Sequence, residues 1–270
     1  MELIFNNKKL IGGILLVTVF IFSAVYFFEA GYRLSIRGIM SPTTVVLNGY
    51  DVGMNVLFDE TVLPPAALVG TGASRTITVP SGDHAIALTR DRYLPWLKQM
   101  YLPPGEEIRL SVFMFPQFTN GVVLLEKDEE YKTGQAAIAQ TSTPTEQTPL
   151  VSQDEPIEVF IRDNTLVARF VGEGNPPAYF CANAEDPCDN EHIALTFDAE
   201  VRGVAFWPGH EGVLFIAVQD GVFAFEMDTR GRQNFQPIYR GIRPNFGLAG
   251  GAFYISDSTS LFKISFVPGN

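Results

Sequence analysis

From Leu10 to Phe28 the chain runs LIGGILLVTVFIFSAVYFF, nineteen residues without a charge. No other feature constrains the chain more. As a helix rising ~1.5 Å per residue, the run is ~28 Å long, close to the hydrocarbon thickness of a bilayer. It is apolar on every side, unlike a helix that lies against a soluble core. A cleaved signal peptide has a shorter apolar region followed by small residues at the −3 and −1 positions. Here Phe22 stands two residues before Ala24, and Phe28 two before Ala30. The sequence therefore predicts an uncleaved transmembrane helix over 10–28, behind a cytoplasmic tail of residues 1–9. Lys8 and Lys9 favour an inside amino terminus; Arg33 and Arg37 weaken the bias, and Glu29 partly offsets them. Tyr26, Phe27, Phe28 and Tyr32 make an aromatic belt at the exit.

Beyond the helix the signals are those of strands, so the expected fold class is all-β. Thr44 to Leu47 runs into Asn48-Gly49, a dipeptide preferred in tight hairpins because both residues tolerate positive φ. Residues 77–79 form a second β run. His84 to Arg90 alternates, with Ile86 and Leu88 on one face. Ile108, Leu110, Val112 and Met114 repeat at period two, as one buried sheet face does. These signals predict a small antiparallel sandwich over 38–118. Tyr93-Leu94-Pro95-Trp96 closes one of its strands. Two readings of the aromatic pair stay open: Tyr93 and Trp96 plug the end of the sheet, or they form a sugar-stacking platform.

NGYDVG (48–53), PSGDHAIAL (80–88), RYLPW (92–96) and LPPGEEIRL (102–110) together resemble the PEGA domain, a short β-sandwich module of envelope and surface-layer-like proteins. EAGYRLSIRG (29–38) adds the Gly-Tyr-Arg that follows the membrane helix in anchored proteins of this type. Arg92 departs from the family, which has Gly there, and residues 57–75 read as an insertion. The resemblance implies a module held close to an envelope membrane.

Residues 132–156, KTGQAAIAQTSTPTEQTPLVSQDEP, are rich in Thr, Ser, Pro and Gln. A chain of this composition buries little surface, and it reads as a flexible spacer or stalk. A β repeat unit is expected over 157–270. GVLFIAVQDGVFAFEM (212–227) and GAFYISDSTSLFKISF (251–266) share a strand–turn–strand shape, with turns at Asp220-Gly221 and Thr259-Ser260. EVFIRDNTLVARF (158–170) repeats it around Asp163-Asn164. RGVAFWPGHEGVLFIAV (202–218) resembles a β-propeller blade. About three copies fit, whereas closed propellers have ~4–8 blades. An incomplete ring, a shortened form of the anchored proteins that join PEGA modules to a propeller, a stack of three sheets and a sandwich of similar hairpins are the readings that remain.

The only cysteines, Cys181 and Cys188, lie in an insertion between copies. On the outer side of a membrane they predict a local disulfide. A metal site with His192 lacks a suitable fourth ligand, and a redox pair is spaced more closely. Glu185, Asp186, Asp189 and Glu191 crowd the same loop but lack the ligand spacing of an EF-hand. No metal and no cofactor is therefore expected.

The chain has no G-x-S-x-G, H-E-x-x-H, Walker or dinucleotide-binding pattern; Gly70 and Gly72 precede a strand rather than a helix. His84, His192 and His210 lie at turns or strand entrances without ligands at metal spacing. A net charge of −11 repels phosphate backbones and argues against nucleic acid. The expected function is that of a non-enzymatic, single-pass extracytoplasmic protein. Its partners are the bilayer and an envelope polysaccharide or protein. Two alternatives stand beside it: a hydrolase using carboxylates such as Asp163, Asp220 and Asp257, and an assembly protein that self-associates through open β edges.

Overall fold

The computed structural model describes residues 2–35, 38–153, 156–181, 188–210 and 212–266, with side chains from residue 15 onward except 34, 35 and 38. Arg37, Glu185 and Asp186 lie outside the described residues, as do the side chains of Lys8 and Lys9. Helix α1 spans Glu2–Glu29, so the expected tail is helical from Glu2 onward. Among the described residues no helix is long and apolar enough to cross a membrane. Beyond α1 the chain is built almost wholly from antiparallel strands, with one further α-helix among the described residues.

A two-stranded ribbon, Arg33–Ser35 with Gly38–Met40, leads into two facing sheets. One has Thr43–Asn48 between Ser74–Val79 and Glu107–Ser111. The other runs Thr61–Val62, Asn55–Phe58, Gly82–Thr89, Trp96–Leu102. Every second residue turns inward. Val45, Leu47, Ile77, Ile108 and Leu110 share a core with Val56, Ile86, Leu88, Trp96 and Leu102. Two expectations need correction. Thr43–Asn48 pairs in parallel with Glu107–Ser111, so the sandwich is mixed. Asn48-Gly49 also makes no hairpin, because Thr43–Asn48 and the next strand, Asn55–Phe58, lie in different sheets. Gly49 has φ +89°, and a Cβ there would sit 2.2 Å from the Val112 carbonyl oxygen. The glycine serves a close approach to the end of the neighbouring strand in its own sheet rather than a two-residue turn.

Three four-stranded antiparallel sheets follow. Repeat sheet 1 contains Leu150–Val151, Ile157–Arg162, Thr165–Phe170 and Glu191–Thr196. Repeat sheet 2 contains Gly203–Phe206, Val213–Val218, Gly221–Glu226 and Phe235–Arg240. Repeat sheet 3 contains Asn245–Ala249, Ala252–Asp257 and Ser260–Ser265, and takes its fourth strand, Asn120–Leu124, from far upstream. The Asp163-Asn164 turn falls where the sequence places it, while the other two fall one residue earlier than expected, at Gln219-Asp220 and Ser258-Thr259, with Gly221 and Ser260 opening the next strands. Asp163 and Asn164 have φ of 50° and 59°, and Ser258 has 56°, values that Asn and Asp adopt more readily than most residues. Among the described residues no sheet closes into a barrel or a ring.

Instead the three sheets stack. Sheet 2 is buried on both faces, which is why its strands read as continuous apolar runs. Leu214, Ile216, Phe223 and Phe225 pack on Ile157, Val159 and Leu166 of sheet 1. Val213, Phe215, Ala217 and Val222 point the other way, toward Phe246, Phe253 and Ile255 of sheet 3. The Phe215 and Phe253 rings meet edge-on at 4.9 Å.

Helix α2, Glu129–Gln140, covers the far face of sheet 3, with Ala137 against Leu124, Tyr254 and Leu261. A Cβ at Gly247 would fall 2.3 Å from the Ala137 carbonyl carbon, so helix and strand touch backbone to backbone. Residues 132–156 therefore do not form a flexible spacer throughout. They supply most of α2, a turn at Thr145–Thr148 and the edge strand Leu150–Val151. The polar composition is real, but Ala136, Ala137 and Ala139 favour helix, and Glu129 and Glu130 complement the helix dipole.

Candidate functional site

The sandwich docks on repeat sheet 2 through buried polar groups. Trp96 and Lys98 begin the strand Trp96–Leu102, and both are fully buried. Lys98 Nζ donates to Glu226 Oε1 at 2.6 Å and to the Asp228 carbonyl at 2.7 Å. Asn234 Oδ1 accepts from the Leu97 backbone N–H at 2.8 Å, and Gln236 Oε1 from that of Phe115 at 3.0 Å. Around them Phe115 packs against Trp207 and Phe266, with centroids 4.8 Å away in each case. One core thus runs through the sandwich and repeat sheets 2 and 3.

A cleft of about 350 Å³ opens beside this junction. Asn48, Glu107, Arg109 and Ser111 line it from the sandwich. Gly212, Glu226, Asp228 and Arg230 line it from the region of sheet 2. Pro177, Ala178 and Tyr179 form a wall at the start of the cysteine-bearing insertion. Arg230 holds Asp228 in a two-pronged pair, Nε–Oδ1 3.0 Å and Nη2–Oδ2 2.8 Å. Burial pushes the Glu226 carboxyl above its ordinary value, even against the Lys98 charge. Burial also works to raise Asp228, but Arg230 and Lys98 outweigh it and hold that carboxyl below the ordinary range. The site is thus an ordered set of donors and acceptors. Glu107, Glu226 and Asp228 already face Arg109, Lys98 and Arg230. Among the described residues no group of three or more His, Cys, Asp or Glu is placed to hold a metal ion.

The residues singled out from the sequence lie elsewhere. Trp96 is fully buried in the core, so its ring has no face for a sugar; the platform formed by Tyr93 and Trp96 is not assembled. Tyr93 is half-buried, with the Arg90 guanidinium 4.6 Å over its ring. Cys181 and Cys188 are disulfide-bonded. His192 is 2.9 Å from the Met227 carbonyl and packs near Tyr179 and Phe180, while His210 stacks on Trp207 at 3.6 Å. His84 pairs with Asp59 at 2.6 Å. Asp220 pairs with Arg240, Asp257 accepts from Tyr239, and Asp163 occupies a hairpin turn. None of these three carboxylates lines the cleft. Asp189 is exposed, and Glu191 is bound to Arg162 and Arg169 on the outer face of sheet 1.

Sequence reasoning missed Lys98, Glu226 and Tyr179. A signal for the first existed: in Trp96, Lys98, Met100, Leu102 a charge occupies an inward position of an alternating strand. A buried charge demands a partner. Glu226 ends the buried run GVFAFE and is that partner. No family model matches this chain, and no curated protein matches it.

Proposed function

We propose that this chain is a membrane-anchored, extracytoplasmic binding protein of the cell envelope. In this reading a PEGA-like sandwich and blade-like repeat sheets act as one rigid head that holds an envelope component. The observation that carries the reading is the surface of α1. Every large apolar side chain from Leu15 to Phe22 is more than half exposed, and seven of these eight positions are large and apolar. Two turns of helix are thus apolar all round, and a lipid phase satisfies such a surface.

Two further features agree with it. The cysteines are bonded, as thiols outside the cytosol generally are. The sandwich and sheet 2 are fastened by buried hydrogen bonds, so the sandwich and the distal sheets share one body rather than flanking a tether. In this reading the amino terminus lies inside and the head outside, as Lys8 and Lys9 favour.

Protease added to intact cells, or to spheroplasts where an outer barrier exists, tests the placement. Loss of the head before lysis supports it. A head that survives until the cells are broken overturns it. Thiol labelling before and after reduction gives an independent reading, since Cys181 and Cys188 should label only after reduction.

A further inference from the structure

We propose that the cleft between the sandwich and repeat sheet 2 binds an uncharged saccharide unit, with Tyr179 as the surface on which the sugar ring rests. The proposal deepens the binding role above and rests on it for its biological setting.

The argument starts from charge. Each ionised group on the lining has an opposite charge within the protein: Glu107 with Arg109 at 2.9 Å, Asp228 with Arg230 at 2.8 Å, and Glu226 with buried Lys98 at 2.6 Å. An ionic ligand would have to break one of these pairs. A polyol need not, because a hydroxyl donates to a carboxylate and accepts from a guanidinium at once. Arg109 and Arg230 supply forked donors, Glu107 and Asp228 supply acceptors, and Asn48 and Ser111 supply both. Tyr179 adds the apolar, aromatic element that such a ligand needs for its C–H face.

The shape agrees. At about 350 Å³ the cleft lies at the small end of ligand pockets, ~300–1,000 Å³. Gly212 lies on the lining with φ +72°. A Cβ there would stand 3.8 Å from Ser111 Oγ and 4.0 Å from the Tyr179 ring, so any larger side chain would grow into the space. The wall carrying Tyr179 is the 3₁₀ turn Ala178–Phe180, directly before Cys181. The Cys181–Cys188 bond therefore closes the loop immediately beyond the wall, which gives the insertion a purpose that packing alone does not.

The test uses the full chain in a polyoxyethylene detergent, since sugar-headed detergents would compete. Chitotriose, cellotriose and maltotriose are titrated by calorimetry, with trigalacturonate as the charged control. At least one neutral trisaccharide should bind with millimolar affinity or better. Tyr179→Phe should stay within about twofold of the native chain, and Tyr179→Ala should weaken binding about tenfold, the scale of losing one aromatic contact. Should Tyr179→Ala not fold, Arg109→Ala serves in its place: this side chain is 71% exposed, and its loss should weaken binding at least threefold. The proposal is overturned if no neutral trisaccharide binds, if trigalacturonate binds more tightly than all of them, or if the substituted chain binds as well as the native one. The measurement is made on purified protein, so its failure leaves the membrane placement standing, and a failed protease test leaves the cleft standing.

Discussion

Two clusters of charge, built from the same side-chain types, occupy opposite situations in this molecule. At the junction, Lys98, Glu226, Asp228 and Arg230 interlock with little or no exposure. On the outer face of repeat sheet 1, Arg169 bonds to Glu146, Glu158 and Glu191 at 2.8–3.0 Å, and Arg162 adds a 2.7 Å bond to Glu191. This second network is half in water. The first fixes how two parts of the chain meet, because misdocking would leave a charge buried and unpaired. The second covers the last sheet of an open stack. Phe160 lies fully buried beneath the guanidinium of Arg169, 4.5 Å away. A face that would meet another blade in a closed ring is dressed in charge here, which discourages a second copy from stacking on it. The lesson is that burial, not the number of ion pairs, decides what each cluster does.

The largest expected effect lies at the junction. Lys98→Met should destabilise the chain by about 3–5 kcal/mol, because Glu226 stays buried without its cation. Of the two tryptophans, Trp96 lies in the core that runs through this junction and Trp207 packs against it, so urea unfolding followed by fluorescence reads the loss directly. Lys98→Met with Glu226→Leu should recover much of it, since neither charge then remains buried alone. A double variant no better than the single one would show that the pair acts through packing rather than charge. Next in size is Gln236→Ala, which leaves the buried Phe115 N–H without its acceptor. The expected loss is about 1–3 kcal/mol, with the midpoint falling while the slope of the unfolding curve is unchanged.

Titration sharpens the contrast between one carboxylate of each cluster, Glu226 at the junction and Glu191 on the outer face, which shift in opposite directions. Hydrogen bonds from Arg162 and Arg169 hold Glu191 below its ordinary value of 4.5. Its stabilising contribution is complete above 4.5 and is lost as pH falls through its folded value. Glu226 is pushed above 4.5 by burial. Its contribution is present below 4.5 and is lost as pH rises through its folded value. Stability relative to Glu191→Gln should therefore change below pH 4.5, growing with pH. Stability relative to Glu226→Gln should change above pH 4.5, shrinking with pH. Two differences with the same sign of slope would mean that the clusters share one electrostatic character.

The same contrast explains what could be read in advance. Repeat sheets 1 to 3 were legible because their hairpin turns are local and polar: Asp163-Asn164 was placed as found, and the turns expected at Asp220-Gly221 and Thr259-Ser260 lie one residue earlier, at Gln219-Asp220 and Ser258-Thr259. The sandwich core was legible from period-two runs such as Ile108 and Leu110. What escaped is non-local. Asn48-Gly49 has the chemistry of a hairpin, but the chain uses it to change sheets. The strand Asn120–Leu124 belongs to a sheet whose other strands begin 125 positions after Asn120, at Asn245, and no pattern within it says so. Helix α2 was hidden because a polar segment is helical here only where Ala137 and Gly134 meet Tyr254 and Leu261. The cleft escaped most completely. Its lining comes from five stretches separated by as much as 182 positions, from Asn48 to Arg230, and each stretch alone reads as ordinary surface.

The smallest effect is the one that could break the comparison. Arg169→Met removes the charge from sheet 1 yet keeps an unbranched stem over Phe160, and it mirrors the substitution at Lys98. Glu146 and Glu191 then keep Arg162 opposite them, while Glu158 loses Arg169 but keeps some contact with water at 15% exposure. The loss should stay below about 1 kcal/mol, and half-molar salt should reduce it further, since exposed pairs are screened over a few ångströms at that strength. The Lys98→Met loss should respond little to the same salt. If Arg169→Met instead unfolds the chain as readily as Lys98→Met does, and salt moves both alike, then the outer network fastens sheet 1 to the stack and the distinction between a docking device and a cover is lost.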